Sequence, residues 1–195
     1  MKRIFDIVFS LFFLTMFLPF GILISIIIIL ESKGGVFYRQ ERVGQFNVSF
    51  YLFKFRTMRK DADKTGRLTV GMKDPRITIS GYYLRKLKMD EFPQFLNVLF
   101  GDMSIVGPRP EVNEFVELYN EEQLQVLNVK PGITDYASLA YFNENEILGN
   151  SSNPNRTYIE EVMPAKLKLN QKYIQNPSLT EDFKIMWLTF LKIIK

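Results

Sequence analysis

The chain has 195 residues, a formal net charge of +4, no cysteine and no histidine. That length fits one domain, or one domain with a membrane element, and the two missing residue types exclude disulfides, thiol nucleophiles, Ser-His-Asp triads and the usual zinc sites. Catalysis must therefore use carboxylates, amines, hydroxyls or a hard cation, and the mild positive balance suits an anionic lipid surface better than nucleic acid.

Residues 4–30 form an apolar run whose single charge is Asp6, long enough to be membrane material. It ends in "LESKGG" without a small-residue cleavage site, which argues against a signal peptide. A straight helix over it would extend about 40 Å. Pro19 removes a backbone donor and Gly21 loosens the same turn, so a bend is expected there. The two arms would measure roughly 22 Å and 16 Å, each too short for a hydrocarbon layer of about 30 Å. Lys2 and Arg3 before the run, and Lys33, Arg39 and Arg42 after it, draw both ends to the cytoplasm. Residue physics allows a re-entrant hairpin or a kinked single-pass helix equally, since lipid tolerates the proline.

A cytoplasmic domain of roughly 160 residues begins near Gly34. Residues 36–38 and 50–57 are aromatic and β-branched and flank "GQFN", which predicts a β-hairpin. Within "YLFKFRTM" a period of two sets Lys54 and Arg56 on one face. Such a pair fits either a phosphate or an ordinary solvated strand face. The polar stretch 59–79 reads as a loop over a site, with Asp61 and Asp63 as conceivable metal ligands. Ser80 is the expected cap of "GYYLRKLKM", and "EVNEFVELYNEEQLQVLNV" reads as one acidic-faced helix ended by "KPG". "YIEEVMPAKLKLNQKYI" predicts a helix interrupted at Pro164. The last helix, "EDFKIMWLTFLKIIK", carries Lys184, Lys192 and Lys195 around Trp187 and Phe190; it suits a membrane interface and core packing about equally.

The densest chemistry lies in "MDEFPQFLNVLFGDMSIVGPRP". Asp90 and Glu91 precede a helix with Pro93 in its first turn and Gly101 beyond its end, while Phe92, Phe95, Leu96 and Leu99 form its apolar stripe. Carboxylates at a helix N-terminus are most simply caps. Here, however, Arg85 lies five residues upstream, Arg109 is fixed between Pro108 and Pro110, and Lys54 and Arg56 add two more cations. That set fits a phosphate-bearing substrate with Mg²⁺: cations and metal neutralise the oxygens, one carboxylate binds metal, and the other attacks phosphorus.

At this point the chain resembles the bacterial sugar transferases, the monotopic phosphoglycosyl transferases that move a hexose 1-phosphate onto a polyprenyl phosphate. The resemblance rests on "MKRIFDIVFS", "YRQERVGQ", "FKFRTM", "LRKLKMDEFPQFLNVLFGDMSIVGPRP", "KPGIT" and "NPSLTEDFKI", in that order. It implies an α+β, mostly helical fold: a re-entrant membrane helix hairpin over 1–33, kinked at Pro19, and a cytoplasmic transferase domain over 34–195 with a short β-hairpin and interfacial amphipathic helices. It further implies a bacterial protein at the cytoplasmic face of the inner membrane, transferring sugar 1-phosphate from a UDP-sugar to undecaprenyl phosphate with Mg²⁺ and releasing UMP. That is the first membrane step of capsule, exopolysaccharide, O-antigen or glycoprotein glycan synthesis. By position, Asp90 becomes the nucleophile that forms a phosphosugar ester, Glu91 the principal metal ligand, Lys54, Arg56 and Arg85 the donor-phosphate contacts, and Pro108, Arg109 and Pro110 the polyprenyl-phosphate contact. Self-association is allowed and nucleic acid is not expected.

Three positions depart from the family pattern. Leu18 stands where a serine often precedes the kink proline, "PGITDYASLAYFNENEIL" replaces the common "PGITGxAQ" stretch and the glycine-arginine motif after it, and Asn170 stands where many members carry aspartate. Two readings from other classes use parts of the same sequence. A membrane phosphohydrolase would pass the phosphosugar to water, and a non-catalytic membrane scaffold would be indifferent to Asp90.

Overall fold

The computed structural model describes residues 1–60, 62 and 74–194. The expectation for Asp61 and Asp63 lies outside the described residues.

The apolar run forms one helix, α1 (Lys2–Glu31), with Pro19 inside it. The expected split into two arms is therefore corrected: the backbone stays helical through the proline, because packing on both sides holds it. Before Pro19, Phe13 stacks on Phe95 at 5.6 Å between centroids and Phe17 on Phe92 at 3.6 Å. Beyond it, Ile24 and Ile28 join Phe55 and Leu84 in a buried cluster. Losing one backbone hydrogen bond is a small penalty beside that burial. The opposite face keeps Val8, Leu11, Phe12, Leu18, Leu23 and Ile27 at least half exposed. The helix is long and apolar enough to cross a membrane, yet it lies against the domain along its length.

Both ends of α1 are bonded to that domain. Lys2 pairs with Asp182 and reaches the Tyr173 hydroxyl at 3.3 Å. Arg3 donates to the carbonyls of Val98 and Leu99. Asp6, the single charge in the apolar run, is buried and accepts from Ser104 Oγ at 2.9 Å and Ile105 N at 3.2 Å. At the other end Glu31 accepts from the backbone N–H groups of Ile79 and Ser80, at 2.6 and 3.0 Å.

The hairpin is β1 (Phe37–Val43) against β2 (Ser49–Phe55), antiparallel, with Tyr38 opposite Lys54. Its first strand is longer than expected, because the polar "RQERV" pairs through its backbone. Phe46 and Asn47 turn the chain in the left-handed region, at φ 56° and 62°. The free edge of β2 is closed by the fully buried Asn97, which accepts from Phe53 N at 3.0 Å and donates to the Tyr51 carbonyl at 2.8 Å. An unpaired strand edge is thereby satisfied by a side chain.

Helix α2 (Ile79–Lys86) is capped by Thr78, which accepts from Gly81 N, and not by the expected Ser80. After a left-handed Lys88 comes a 3₁₀ turn, Met89–Glu91, then α3 (Gln94–Phe100), ended by Gly101 at φ 95°. Arg3 covers the last carbonyls of α3 and Lys130 Nζ that of Gly101 at 2.7 Å; these groups have no intrahelical partners. A short parallel pair follows, β3 (Ser104–Val106) with β4 (Gly132–Thr134). The two backbones approach so closely that a Cβ on Gly132 would sit 2.1 Å from Gly107 N. Only glycine fits there.

The expected helix over 111–129 is corrected to α4 (Asn113–Val116) and a 3₁₀ segment Gln123–Asn128. Asn120 and Gln123 exchange backbone-to-side-chain hydrogen bonds at 2.8 and 3.0 Å, which restarts the chain in the manner of a capping box. Short helices α5 (Tyr136–Ala140), α6 (Glu144–Gly149) and α7 (Pro154–Thr157) lead through a π-helical turn, Tyr158–Val162, into α8 (Met163–Gln175). Pro164 follows that turn closely: where the proline removes a donor, the ladder shifts to the wider π spacing, with Met163 N bonded to the Tyr158 carbonyl, which is the interruption expected there. The last helix, α9 (Leu179–Ile194), buries Asp182 and Ile185 and exposes Phe183, Trp187, Phe190 and Ile194 by half or more. Of the two readings of α9, core packing holds for the face that carries Ile185 and Met186, and the exposed apolar residues are left over for the other.

Candidate active site

The turn Met89–Glu91 lies where α2 and α3 meet, and it holds Asp90 and Glu91 in unlike surroundings. Neither carboxylate caps a helix: the first residue flanking α3 is Pro93, and no side-chain cap is made there. The capping explanation is thus removed by geometry. Lys88, just before the pair, takes φ 55° and ψ 19°, a conformation that bulky residues adopt when their surroundings impose it.

Glu91 is saturated with cations. Lys54 Nζ lies 3.1 Å from its Oε1, and Arg109 grips both oxygens, with Nη1 at 3.0 Å from Oε2. Burial alone would raise its pKa, but Arg109 and then Lys54 outweigh that and hold Glu91 well below the usual range. Asp90 is only 7% exposed, and its carboxylate accepts no hydrogen bond from a described residue. Burial, and then the negative charge of Glu91, push it up to about 6 against the pull of Lys54, Arg85 and Lys88. Environment has separated two adjacent carboxylates into a firmly ionised acid and a high-energy one.

Arg109 is placed by the backbone around it. Between two prolines its own N–H is the sole backbone donor of the tripeptide, and buried Asp135 accepts it at 3.0 Å. Asp135 also caps α5 by accepting from Ser138 N. The Pro108 carbonyl accepts from Gly132 N at 2.9 Å, and that of Pro110 from Arg42 Nη1 at 3.1 Å. Arg42 continues to Glu111 Oε1 at 2.9 Å, and the Tyr158 hydroxyl closes on the other Glu111 oxygen. The rigid loop expected from its prolines is therefore a bonded frame.

Of the expected cations, Lys54, Arg85 and Arg109 converge on the pair. Arg85 donates to Thr57 Oγ1 at 2.9 Å, and its charge acts on Asp90. Arg56 does not join them: it donates to the carbonyls of Gly34 and Gly35, at 2.5 and 2.9 Å, and fastens the link from α1 to β1. Strand period gave its face but not these glycine partners. Lys88, Glu111 and Asp135 escaped the sequence reading, and Arg42 entered it only as a charge flanking the apolar run; of these only Asp135, three residues before Ser138 in "YASLA", carried a local cap signature.

Among the described residues no third acidic side chain joins Asp90 and Glu91 to form a metal cluster. The pair nonetheless fits Mg²⁺, which commonly takes one or two carboxylates and completes its octahedron with substrate phosphates and water.

The sequence pattern described as bacterial sugar transferase matches residues 1–195. The chain belongs to that family. A Bacillus subtilis member, provisionally named an undecaprenyl-phosphate N-acetylgalactosaminyl 1-phosphate transferase, is 46% identical over 121 residues, 62% of this chain and 68% of its own. The UDP-N-acetylgalactosamine-undecaprenyl-phosphate N-acetylgalactosaminephosphotransferase of Aeromonas hydrophila is 35% identical over 99% of this chain and 43% of its own. The Escherichia coli UDP-glucose:undecaprenyl-phosphate glucose-1-phosphate transferase is 34% identical over 98% and 40%. This chain thus spans less than half the length of the last two. These bacterial sugar transferases are named for sugar-phosphate transfer to undecaprenyl phosphate; two of the names carry N-acetylgalactosamine and one glucose.

Proposed function

We propose that this chain transfers a sugar 1-phosphate from a UDP-sugar to undecaprenyl phosphate at the cytoplasmic face of the bacterial membrane, releasing UMP and starting a surface glycan. The observation that carries the proposal is the unlike pair: a buried Asp90 that accepts no hydrogen bond from a described residue, beside a Glu91 that gathers two cations.

In the first step an Asp90 oxygen attacks the donor phosphorus that carries the sugar. The phosphoanhydride bond to the nucleotide phosphate breaks and UMP leaves with that electron pair. A phosphosugar ester remains on Asp90. In the second step a phosphate oxygen of undecaprenyl phosphate attacks the same phosphorus and the bond to Asp90 breaks, which restores the carboxylate and completes the lipid diphosphate-sugar. Lys54 and Arg85 would hold the phosphates in line, and Arg109 would balance the charge of the incoming lipid phosphate. Mg²⁺, held by Glu91 with help from Asp90, would supply charge neutralisation at the phosphate oxygens.

The scheme needs the site at the height of the lipid headgroups. Support comes from α1: both its ends are bonded to one domain, while its outward face and that of α9 are apolar. A helix fastened so at both ends keeps the domain on one side of the bilayer and lets the apolar face sink into it, in keeping with a monotopic anchor.

The test uses purified protein with undecaprenyl phosphate, Mg²⁺ and a panel of UDP-sugars. UMP release that requires Asp90 and stops with EDTA, with the sugar phosphate found on Asp90 by mass spectrometry, is expected. Attachment at another residue, or water as the sole acceptor, would overturn the scheme.

A further inference from the structure

The ring of Phe142 collects two ammonium groups from distant parts of the chain. Lys88 Nζ lies 4.9 Å from its centroid and Lys192 Nζ 5.8 Å. Lys88 stands two residues before Asp90 in its left-handed conformation, and its charge acts on both Asp90 and Glu91. Lys192 is itself exposed and comes from α9, flanked by Phe190 and Ile193 on the exposed apolar face. Phe142 occupies the turn between α5 and α6, two residues before Glu144, whose charge acts on Arg109. Three elements therefore meet at one aromatic ring: the catalytic turn, the α5–α6 turn and the lipid-facing helix.

Among the described residues no carboxylate lies within ion-pair distance of either ammonium. Two like charges drawn to one ring, neither in an ion pair with a described carboxylate, repel each other and attract an anion. Glu91 cannot serve, since Lys54 and Arg109 already engage it. The position of Lys192 decides which anion. Its neighbours Phe190, Ile193 and Ile194 are exposed apolar groups, so with α9 docked on a bilayer its stem would lie along the lipid surface and its ammonium at headgroup height. A phosphate tethered to a lipid arrives at that height, whereas a soluble nucleotide is not confined there.

We propose that Lys88, Phe142 and Lys192 form a receiving subsite for the terminal phosphate of the lipid acceptor, separate from Arg109, which delivers that phosphate to the phosphorus on Asp90. The proposal rests on the two-step reading above. Phe142 aligns the two ammonium groups, and the lysines hold the phosphomonoester while the phosphosugar ester waits.

The experiment separates the two half-reactions in full-length protein reconstituted in phosphatidylcholine vesicles. The first is the burst of UMP formed without acceptor; the second is discharge of the labelled enzyme by undecaprenyl phosphate. Phe142→Leu and Lys192→Gln are expected to raise the KM for undecaprenyl phosphate about ten-fold, against a change of less than about two-fold in the burst. Phe142→Tyr, which keeps the ring face, restores the wild-type KM. An equal loss in the burst assigns the ring to the donor and overturns the proposal, as does an unchanged KM in both variants. Vesicles with added phosphatidylglycerol distinguish bulk lipid phosphate. If Lys192→Gln weakens co-sedimentation with them in proportion to the KM change, the lysines bind membrane and not acceptor, and the proposal fails. Lys192 is exposed, so its variant decides the matter even where Phe142→Leu melts. A wild-type protein that yields UMP only with acceptor present would sink the two-step reading instead, and this proposal with it.

Discussion

One short turn carries two carboxylates, and its two sides obey opposite rules. On the Glu91 side Lys54 and Arg109 surround the acid, so its charge supports the fold. On the Asp90 side the acid is buried without a hydrogen bond from a described residue, so its charge opposes the fold. The difference separates a firmly ionised acid from one held near its protonation point, and it was made by neighbours alone, since the two groups share a backbone turn.

The largest expected break of this contrast is Asp90→Asn. It should lower UMP release by about 10³-fold or more, as loss of a covalent nucleophile does. It should also stabilise the protein. With its pKa pushed from 3.8 to about 6 in the fold, Asp90 loses folding free energy as pH rises through that window, by about 3 kcal/mol at most at neutral pH. Thermal melting at pH 5 and pH 8 should show the variant gaining more at pH 8.

Glu91→Gln should move stability the other way. It leaves Lys54 and Arg109 facing a neutral amide, and breaking a buried ion pair from one side costs about 3–5 kcal/mol; partial exposure of all three groups places the effect toward the lower end. Urea denaturation in detergent micelles measures it, and Mg²⁺-dependent UMP release should fall in parallel. Equal stability changes for the two variants would erase the contrast.

A pH profile sharpens it further. Below about pH 6 the UMP burst should fall about ten-fold per unit as Asp90 takes a proton. In Glu91→Gln the midpoint should move down, because a negative neighbour is gone.

The smallest effect expected is Asp6→Ala, which lies outside the turn and so touches both sides alike. It removes the acceptor of Ser104 Oγ and Ile105 N and should cost about 1–3 kcal/mol in denaturant melts, with the pH midpoint unmoved.

Much of this contrast could be read in the letters. Gly101, Pro93, the phenylalanine stripe and the dyad with Arg85, Lys54 and Arg109 were legible because each is a local signal or part of one short motif. What was not legible depends on partners far away in sequence. Lys2 and Arg3 read as charged flanks of a membrane run, yet they bond to Asp182 and to the end of α3. Asp6 was an anomaly until Ser104 came beside it. Arg56 had the right strand face and went to glycine carbonyls. Pro19 promised a break that long-range aromatic packing overrode, and the three-residue strands β3 and β4 were too short for any periodicity to register.

The tie between Lys2 and Asp182 spans 180 positions and joins the first turn of α1 to the first turn of α9. Two helices far apart in sequence thus present their exposed apolar residues as a fastened pair, so loosening one of them frees the other.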